Sequence, residues 1–427
     1  MAADLHLPWG WGFLRGIVGC MGVLALWACS HKPPVAQVAA AGRMPLGAAR
    51  PQLTETQALQ YTVTNYLAQA GQLTGPQGQG LVADGWAPAA LGDASAFESH
   101  FVVAADGSGS HRTVQAAVDA VPARSATDRR YYIEVRPGTY RETVCVLGKA
   151  PVTLYGASPD AHAVAIVGSN YNGKAKTPHA VIANACHPHL AGATYGTSGS
   201  ATFAVYSDAF HAKNVSFVND AMQGVVHGMG YPPGASGASG AQAVALMTQG
   251  DQLVFENVRV IGHQDSLYVK TATLGTVARA YFRDSHIQGD VDFVFGRGLL
   301  VLDRCTLHFT SARLPIGSAP SMLAPSTATH SPYGILIHAS RFTADAQTPQ
   351  SSVHLGRAWD EGIPSGAYTS QSAINGQLVV RDSHLGAHVH QPAPWGASTS
   401  ARPFSSAGNR FAEFNNTPMH LFASTDP

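Results

Sequence analysis

Short apolar runs recur along most of the chain and alternate with polar turns. Eight of these runs have the length and composition of β-strands: YYIEV, VTLYG, ATFAV, AVALM, LVFENVRV, LVLDRCTL, GILIH and QLVVRDSHL. Segments of four to eight residues that are rich in Val, Ile and aromatic side chains predict strands when polar turns bound them. From about residue 98 onward, the pattern therefore predicts an all-β fold.

Several of these runs share one pattern, which we call the frame. It begins with an apolar residue, has a small residue three positions later, and ends with a second apolar residue five positions after the first. The apolar pairs are Ala212/Phe217, Phe255/Val260, Phe282/Ile287, Leu302/Leu307, Ile337/Phe342 and Val380/Leu385. Successive frames begin 43, 27, 20, 35 and 43 residues apart, or loosely one or two units of about 20 residues. Such a repeat favours a parallel β-helix, in which each coil contacts only its neighbours. A β-sandwich fits the spacing alone, but it does not explain the shared frame.

Before the β region, the pattern changes. Residues 30–52 are rich in Pro, Ala and Gly and are typical of a tether. Residues 54–70 have apolar positions at helical spacing, with Thr54 as a candidate N-cap and Gly71 as a stop. Inside the β region, residues 170–200 and 220–240 are long Gly-rich insertions, and loops of this length are either functional walls or simply mobile.

The first 28 residues have the pattern of an export signal. Arg15 precedes an apolar run from Gly16 to Trp27, which is too short to cross a bilayer. Leu26, Ala28 and Cys29 resemble a bacterial lipobox, and cleavage there would leave Cys29 as a lipidated N-terminus. Ser30 after the cysteine favours the outer membrane. An ordinary signal peptide with a periplasmic or secreted product is the alternative. We thus predict a signal in residues 1–28, a tether and helical extension in 29–97, and a β-helix domain in 98–427.

Composition limits the partners. Only 12% of the residues are charged, and Lys plus Arg equals Asp plus Glu at 26 each, so no basic face for nucleic acid is expected. Without Cys20 and Cys29, three thiols remain at positions 145, 186 and 305, so at most one internal disulfide can form. The His-x-His pairs at 187/189 and 388/390 are typical of a polar surface in a chain with 20 histidines, and no metal or cofactor is predicted.

Polar residues inside apolar runs are the candidates for chemistry: Gln242, Gln264, Asp265, Asp292 and Arg357. Asp292 stands in "GDVDFVFGRG", where its neighbours predict a buried strand, and burying a carboxylate is costly unless it is paired. Residues 242 and 264 are 22 apart, about one coil, and residues 265 and 292 are 27 apart, about one coil plus an insertion, so all four could stack on one face. Two such carboxylates near an arginine would have pKa values pushed apart. Asp284, Asp290 and Asp382 are interpreted as turn residues instead. The alternative for Asp290 is a supporting role beside Asp292, because the two would share a face in an unbroken strand.

These motifs resemble the pectin methylesterases (pectinesterases), a family of right-handed, single-stranded parallel β-helices with long loop insertions and short peripheral helices. The matching segments follow the family's order: VVAADGSGSHRTVQAAVDAVP (102–122), Gly138-x-Tyr140-x-Glu142, QAVAL (242–246), QDSLY (264–268), DFVFG (292–296) and LGRAW (355–359). The resemblance covers about residues 98–427.

The resemblance implies a role for each matching residue. Asp292 would attack the methyl ester as the nucleophile, and Asp265 would act as the general acid and then the general base. Gln242 and Gln264 would hold the oxyanion, and Arg357 would orient Asp292. Trp359, Tyr268 and Phe295 would line the sugar cleft, although aromatic side chains in strands are more often core. The expected partner is pectin or an oligogalacturonide, with no cofactor, a monomeric state, and membrane contact only through the lipid anchor.

Two departures from the family pattern are mild, Ser266 for Thr and Ala358 for Pro. A related group of bacterial outer-membrane lipoproteins, described as possible acyl-CoA thioesterases, has lost the acidic pair, whereas this chain keeps Asp265 and Asp292. The remaining alternatives are a hydrolase of a different ester or thioester, and a non-catalytic β-helix that binds polysaccharide.

Overall fold

Three parallel β-sheets, here called sheets I, II and III, form the body of the protein. The structure is a computed structural model that describes residues 49–73, 82–176, 186, 193–237, 239–406 and 408–419. The predicted signal segment, Cys29, most of the tether and the His187/His189 pair lie outside these ranges. Within the described ranges, no helix is long and apolar enough to cross a membrane.

Each coil of the chain contributes up to one strand to each sheet, and every pairing within the three sheets is parallel. Sheet I contains Phe101–Val103, Tyr131–Val135, Val152–Gly156, His211–Lys213, Leu253–Glu256, Arg279–Arg283, Leu299–Asp303, Ile335–His338, Gln377–Arg381 and Arg410–Phe414. Sheet II contains Gly138–Arg141, Val164–Gly168, Ser216–Asn219, Arg259–Ile261, His286–Gly289, Thr306–Phe309, Arg341–Ala344, His384–Leu385 and Thr417–Pro418. Sheet III contains Val144–Val146, Phe203–Val205, Leu246–Thr248, Leu267–Val269, Val294–Gly296, Ser321–Pro325 and His354–Gly356. The predicted parallel β-helix is confirmed.

The shared frame identifies residues that stack directly on one another. The first apolar positions pair in series across sheet I, from Ala212 to Phe255, Phe282, Leu302, Ile337 and Val380. The second positions pair in the same way across sheet II, from Phe217 to Val260, Ile287, Leu307, Phe342 and Leu385. All of these side chains are buried in one continuous core. The frame is therefore the corner between sheets I and II, repeated in each coil.

A non-glycine residue with positive φ makes this corner in the coils from His211 onward. The seven such residues have φ between 48° and 58°: Asn214, Asn257, Asp284, Arg304, Ala339, Asp382 and Asn415. Asn and Asp tolerate the left-handed conformation better than most side chains, which explains their frequency here. The interpretation of Asp284 and Asp382 as turn residues is confirmed.

Short helices lie at the edges of the β-helix. Val114–Ala120 contacts the first strands of the three-sheet body and buries Val114, Ala117 and Val118 against them, so it covers that end of the core. Gly196–Gly199 lies in the first insertion, and a short 3-10 helix spans Ala94–Ala96.

The single helix predicted over residues 54–70 is divided in two, Glu55–Ala58 and Val63–Ala68. Thr54 caps the first helix as predicted, in a capping box with Gln57. Thr62 accepts a hydrogen bond from the backbone of Asn65 and starts a second helix, which explains the break. A small antiparallel pair, Gln69–Ala70 with Val82–Ala83, follows.

The N-terminal extension packs on the outer face of sheet I. Tyr66 is buried in a second apolar cluster with residues of that sheet, and its hydroxyl bonds to Gln377. Arg50 is also buried, and its guanidinium forms a two-point ion pair with Glu413. The chain is therefore already part of the folded body at residue 50.

The described parts of the two insertions pack against each other beside sheet III. The hydroxyl of Tyr171 donates to the carbonyl of Pro233, and the amide of Gly173 donates to the carbonyl of Gly240. A Cβ on Gly173 would lie 1.8 Å from the carbonyl oxygen of Gly234, so only glycine permits this approach.

Candidate active site

The predicted site residues meet on sheet III and in the turns that lead into and out of its strands. Gln242 precedes Leu246–Thr248, while Gln264 and Asp265 precede Leu267–Val269. Asp292 precedes Val294–Gly296, and Arg357 follows His354–Gly356. Because these strands lie side by side in the sheet, residues up to 115 positions apart share one surface.

Asp265 and Asp292 occupy equivalent positions in neighbouring coils. Each stands two residues before its strand, and the first strand residues, Leu267 and Val294, pair directly. The amide of Asp265 donates to the carbonyl of Val291 at 3.1 Å, which extends this register to the aspartates. Each of the two residues is about 7% exposed. The two carboxyl groups therefore lie next to each other at a partly open surface.

The predicted strand at Asp292 is wrong in one respect, because Asp292 lies in the turn before the strand. Its φ is 48° and that of Asp265 is 66°, both in the left-handed region. Such a conformation costs a non-glycine residue on the order of 1 kcal/mol, and it recurs at functional sites where the surroundings impose it. The buried Phe293 and the hydrogen bond from the Asp292 amide to the carbonyl of Ser321 hold this turn.

Arg357 binds both carboxylate oxygens of Asp292. Its Nε donates to Oδ1 at 2.9 Å and its Nη2 donates to Oδ2 at 2.6 Å. Although burial opposes the charge on Arg357, the adjacent Asp292 raises the pKa of the guanidinium. The two-point contact fixes the orientation of the Asp292 carboxyl group.

Asp265 has the opposite electrostatic environment. Burial is the main cause that raises the pKa of its carboxyl well above the usual value, and the nearby charge of Asp292 adds to it. Arg357 acts in the other direction but does not outweigh these two effects. The raised pKa favours a protonated Asp265 beside an Asp292 whose two oxygens are bound by Arg357, and this arrangement suits an acid next to a nucleophile.

Gln242 and Gln264 lie on adjacent coils next to this pair. Gln264 is buried and directly precedes Asp265, whereas Gln242 is half-buried. The amide of Ala243 donates to the backbone carbonyl of Gln264, which places the two glutamines at neighbouring positions as the 22-residue spacing predicts. Side-chain amides are suitable donors for a developing oxyanion.

Three aromatic residues form a platform on the C-terminal side of the acidic pair. The rings of Tyr268 and Phe295 stack with centroids 4.2 Å apart, and Trp359 meets both edge-to-face at 5.9 and 5.3 Å. Tyr268 and Trp359 are half-buried, whereas Phe295 is buried in contact with both. The platform therefore exposes part of two rings to a ligand, and the third ring supports them.

Sequence reasoning missed the ion pair between Asp290 and Arg313. Asp290 is fully buried and accepts two hydrogen bonds from Arg313, at 2.6 and 2.5 Å. Burial opposes its ionisation, but the bonds from Arg313 and from His263 lower its pKa. Arg313 also donates to the hydroxyl of Tyr231 and to the carbonyl of Gly237, so it links the Asp292 turn to the second insertion. Asp290 lies in a turn, as interpreted. Its apolar neighbours were the only sequence feature that indicated a buried carboxylate with a charged partner.

A charged group beside the aromatic platform, which consists of Lys270, Arg297 and Glu361, was also not predicted. Each stands two residues after one aromatic residue of the platform. No motif marked them, because a single Lys or Arg after a strand is common on surfaces.

One disulfide joins Cys145 to Cys186, so the three thiols give a single bridge and a free, buried Cys305. The bridge attaches the first insertion to the first strand of sheet III. Within the described ranges, no three His, Cys, Asp or Glu side chains are grouped as they would be around a metal ion.

Comparison with known proteins gives a consistent result. A family model described as Pectinesterase matches residues 100–374. A pectinesterase from Ralstonia nicotianae is 43% identical over 379 residues, which is 87% of this chain and 91% of the relative. The solved structure of a rice weevil pectin methyl esterase superposes with a TM-score of 0.71 at 30% identity, over 88% of this chain and 99% of that one. A pectin methylesterase solved in complex with a hexasaccharide has a TM-score of 0.60 at 25% identity, over 78% and 92% of the two chains.

Proposed function

This chain belongs to the pectinesterase family, and on that premise we propose that it hydrolyses methyl esters of galacturonate residues in pectin or methylated oligogalacturonides. It is a carboxylic ester hydrolase whose products are methanol and de-esterified pectate. The observation that carries the assignment to this site is the pairing of Asp292, bound by Arg357, with Asp265 on the neighbouring coil, where burial raises the pKa of the Asp265 carboxyl.

The first half of the reaction forms an acyl-enzyme. A carboxylate oxygen of Asp292 attacks the ester carbonyl carbon, and the carbonyl oxygen becomes an oxyanion. The side-chain amides of Gln242 and Gln264 donate to that oxyanion, and one such donor contributes about 3 kcal/mol to transition-state binding. When the intermediate collapses, the C–O bond to the methoxy group breaks and Asp265 gives its proton to the departing oxygen. Methanol leaves, and the galacturonyl group is joined to Asp292 as an anhydride.

The second half of the reaction restores the enzyme. Asp265, now a carboxylate, takes a proton from water while the water oxygen attacks the galacturonyl carbonyl. The bond to Asp292 breaks, and Asp292 returns as a carboxylate beside Arg357. The released galacturonic acid then ionises in solution. Asp265 thus gives one proton and receives one in each cycle, so no metal or cofactor enters the balance.

The aromatic platform would bind the sugar chain. Half-buried Tyr268 and Trp359 offer apolar surface for pyranose rings, and Phe295 supports both. The nearby insertions would form one wall of the cleft, since Arg313 and the contact of Gly173 with Gly234 hold them beside sheet III.

A methanol-release assay tests this function. Purified protein should release methanol from methylated pectin and from methylated oligogalacturonides, and Asp292→Asn should not. Acyl-CoA thioesters and a simple aryl acetate serve as the comparison substrates. Turnover of those substrates without methanol release from pectin would replace the proposal with the thioesterase or general esterase alternative. Pectin binding without turnover would favour the non-catalytic alternative.

We further infer that the chain is exported and anchored through a lipid on Cys29. The support is the residue pattern of Leu26, Ala28 and Cys29 after the short apolar run. Radiolabelled palmitate should be incorporated into the native chain in cells but not into Cys29→Ala. Labelling of both, or of neither, would overturn the anchor.

A further inference from the structure

The N-terminal extension and the outer face of sheet I form a pocket of about 260 Å³, which we call the sheet I pocket. None of its lining residues belongs to the candidate active site, which lies on sheet III. Trp86, Leu91 and Phe97 of the extension form one wall. The sheet forms the other wall, and Arg130 stands there just before the strand Tyr131–Val135.

One row of side chains on sheet I forms the floor of the pocket. Tyr132 pairs with Thr153, Thr153 with His211, and His211 with Val254, so these residues lie side by side on consecutive strands. The residue that follows each of them along its strand is buried in the inner core. Because successive side chains of a strand point to opposite faces, the row points outward into the pocket.

Direct contacts hold the extension against the sheet. The amide of Leu91 donates to a carboxylate oxygen of Glu256 at 3.0 Å. The ring of Phe97 lies 5.2 Å from that of Tyr132 and 5.0 Å from that of Tyr155. The pocket is therefore preformed, and a ligand does not have to open it.

Arg130 brings a guanidinium group to the pocket. Its Nη1 donates to the carbonyl of Val152 at 2.9 Å and to the hydroxyl of Thr153 at 3.2 Å. Its Nη2 lies 3.3 Å from Nε2 of His211. These contacts use three of the five N–H groups of a guanidinium, so two are left for a ligand. Among the residues that the structure describes, no carboxylate lies within 4.0 Å of Arg130.

The charge of Arg130 is therefore poorly compensated. Burial is the main cause that lowers the pKa of its guanidinium. Burial, together with the charge of Arg130, lowers the pKa of His211 to about 3, so this imidazole is neutral near pH 7. A bound anion would compensate the charge, and a carboxylate fits because its two oxygens can accept from both remaining N–H groups.

The apolar part of the lining selects the rest of the ligand. Trp86, Leu91, Phe97 and Val254 offer carbon surface and few hydrogen-bonding groups. A sugar acid would lose water from its hydroxyl groups there without gaining enough partners, and this loss is costly. An aromatic ring carries no such groups and stacks well on aromatic side chains.

We propose that the sheet I pocket binds a small aryl carboxylate, with the carboxylate on Arg130 and the ring between the extension and the row on sheet I. This site is separate from the ester hydrolysis proposed above. It gives the protein a second ligand of a different chemical class.

Isothermal titration calorimetry of the native chain tests the ligand class, with benzoate as the probe. Benzoate should bind with a Kd of about 1 mM or tighter, as is reasonable for a small ligand in a preformed pocket. The uncharged benzamide should bind at least about tenfold more weakly, because it cannot form the ion pair. Equal affinity for the two compounds would overturn the role of the Arg130 charge.

Two variants locate the binding site. Arg130→Gln should weaken benzoate binding about tenfold or more, since a charge-assisted contact is lost. Arg129→Gln is the matched control and should bind benzoate like the native chain, because this exposed arginine contacts His100 and Tyr131 instead. Ala90→Phe, at an exposed position on the rim, should block the pocket while leaving Arg130 in place.

Melting temperatures show whether each variant is folded, and if Arg130→Gln does not fold, Ala90→Phe decides alone. Native affinity for benzoate in a folded Arg130→Gln or in Ala90→Phe would overturn the inference, since benzoate would then bind elsewhere. Absence of heat with the native chain up to about 10 mM benzoate would overturn it as well. Galacturonate should bind more weakly than benzoate at the site that depends on Arg130, and the reverse order would overturn the aryl class. Methanol release is measured without benzoate, so none of these results decides the proposed function.

Discussion

Asp290 and Asp292 stand two residues apart, and each binds one arginine through both carboxylate oxygens, yet their surroundings differ completely. The side chains of Asp290 and Arg313 are 0% and 1% exposed, whereas those of Asp292 and Arg357 are 10% and 27% exposed. The first pair is sealed between the Asp292 turn and the second insertion. The second pair borders the cleft. The same carboxylate–guanidinium pair thus joins two buried segments at Asp290, whereas at Asp292 it orients a carboxylate that a substrate can reach.

The difference shows how burial decides the role of an ion pair. A sealed pair gains little net energy over an apolar replacement, but losing one partner leaves an uncompensated buried charge. A pair at a cleft keeps an open side, so a substrate atom can approach the carboxylate while the arginine holds it. We expect substitutions in the first pair to act mainly on stability and those in the second pair to act mainly on turnover.

Asp292→Asn gives the largest expected effect. Turnover should fall by at least about 10⁴-fold, because the amide oxygen is a poor nucleophile. The free energy of unfolding should change less than it does in Asp290→Asn, since Arg357 can reach water. Methanol release and urea unfolding on the same preparation check both statements. Turnover close to the native value would remove Asp292 from the mechanism.

Asp290→Asn should have the reverse profile. Its loss leaves Arg313 buried and unpaired, so the free energy of unfolding should fall by about 3–5 kcal/mol. Turnover per folded molecule should fall far less than in Asp292→Asn. The double variant Asp290→Asn/Arg313→Met should recover stability, because it removes both buried charges. If Asp290→Asn abolished turnover with native stability, the contrast between the two pairs would be lost.

Arg357→Lys tests how much the two-point contact contributes. Lysine keeps the positive charge but cannot donate to both oxygens of Asp292 in a fixed plane. We expect kcat to fall roughly 10- to 100-fold with little change in melting temperature. Arg313→Lys is the matched substitution in the sealed pair, and it should lower the melting temperature instead. Equal melting-temperature losses in the two variants would contradict this expectation.

The smallest expected effect is on the pH dependence of stability, and Asp265→Asn, which also loses the group that transfers the proton, measures it. The folded protein raises the pKa of Asp265, so the folded state keeps a proton that the unfolded chain releases above about pH 4. The stabilisation is therefore fully present below that pH and is lost as pH rises towards the folded pKa, by up to about 1.4 kcal/mol per pH unit. Urea unfolding at pH 5 and pH 8 gives the free energy of unfolding of the native protein and of Asp265→Asn. Between these two pH values, this free energy should fall less in the variant than in the native protein. Parallel curves would mean that Asp265 is already ionised at pH 5.

The repeated frame predicted the fold well because residues that stack in a β-helix occupy the same position in each coil, so each coil has the same pattern of apolar residues. Ala212, Phe255 and Phe282 lie directly over one another, and their frame was visible in the sequence without any contact information. The helix break at Thr62 was not visible in the same way. Helical spacing persists across it, and only the competing cap at Thr62 divides the segment.

The site was predictable in its main members but not in its supporting ones. Asp265 and Asp292 stood out as acidic residues in apolar surroundings one coil apart, and the resemblance to the family assigned their roles. Arg313 comes from a loop whose length follows no repeat, so nothing in the spacing could bring it to Asp290. The αL turn at Asp292 was also missed, because Val and Phe on both sides predict a strand.

The regular corner between sheets I and II has a consequence for how this chain tolerates change. Frames that begin as few as 20 or as many as 43 residues apart stack residue upon residue. Extra chain is therefore accommodated between corners, and the strands on either side keep their alignment. A protein built in this way can lengthen, shorten or exchange the walls of its cleft during evolution while the reacting atoms stay where they are.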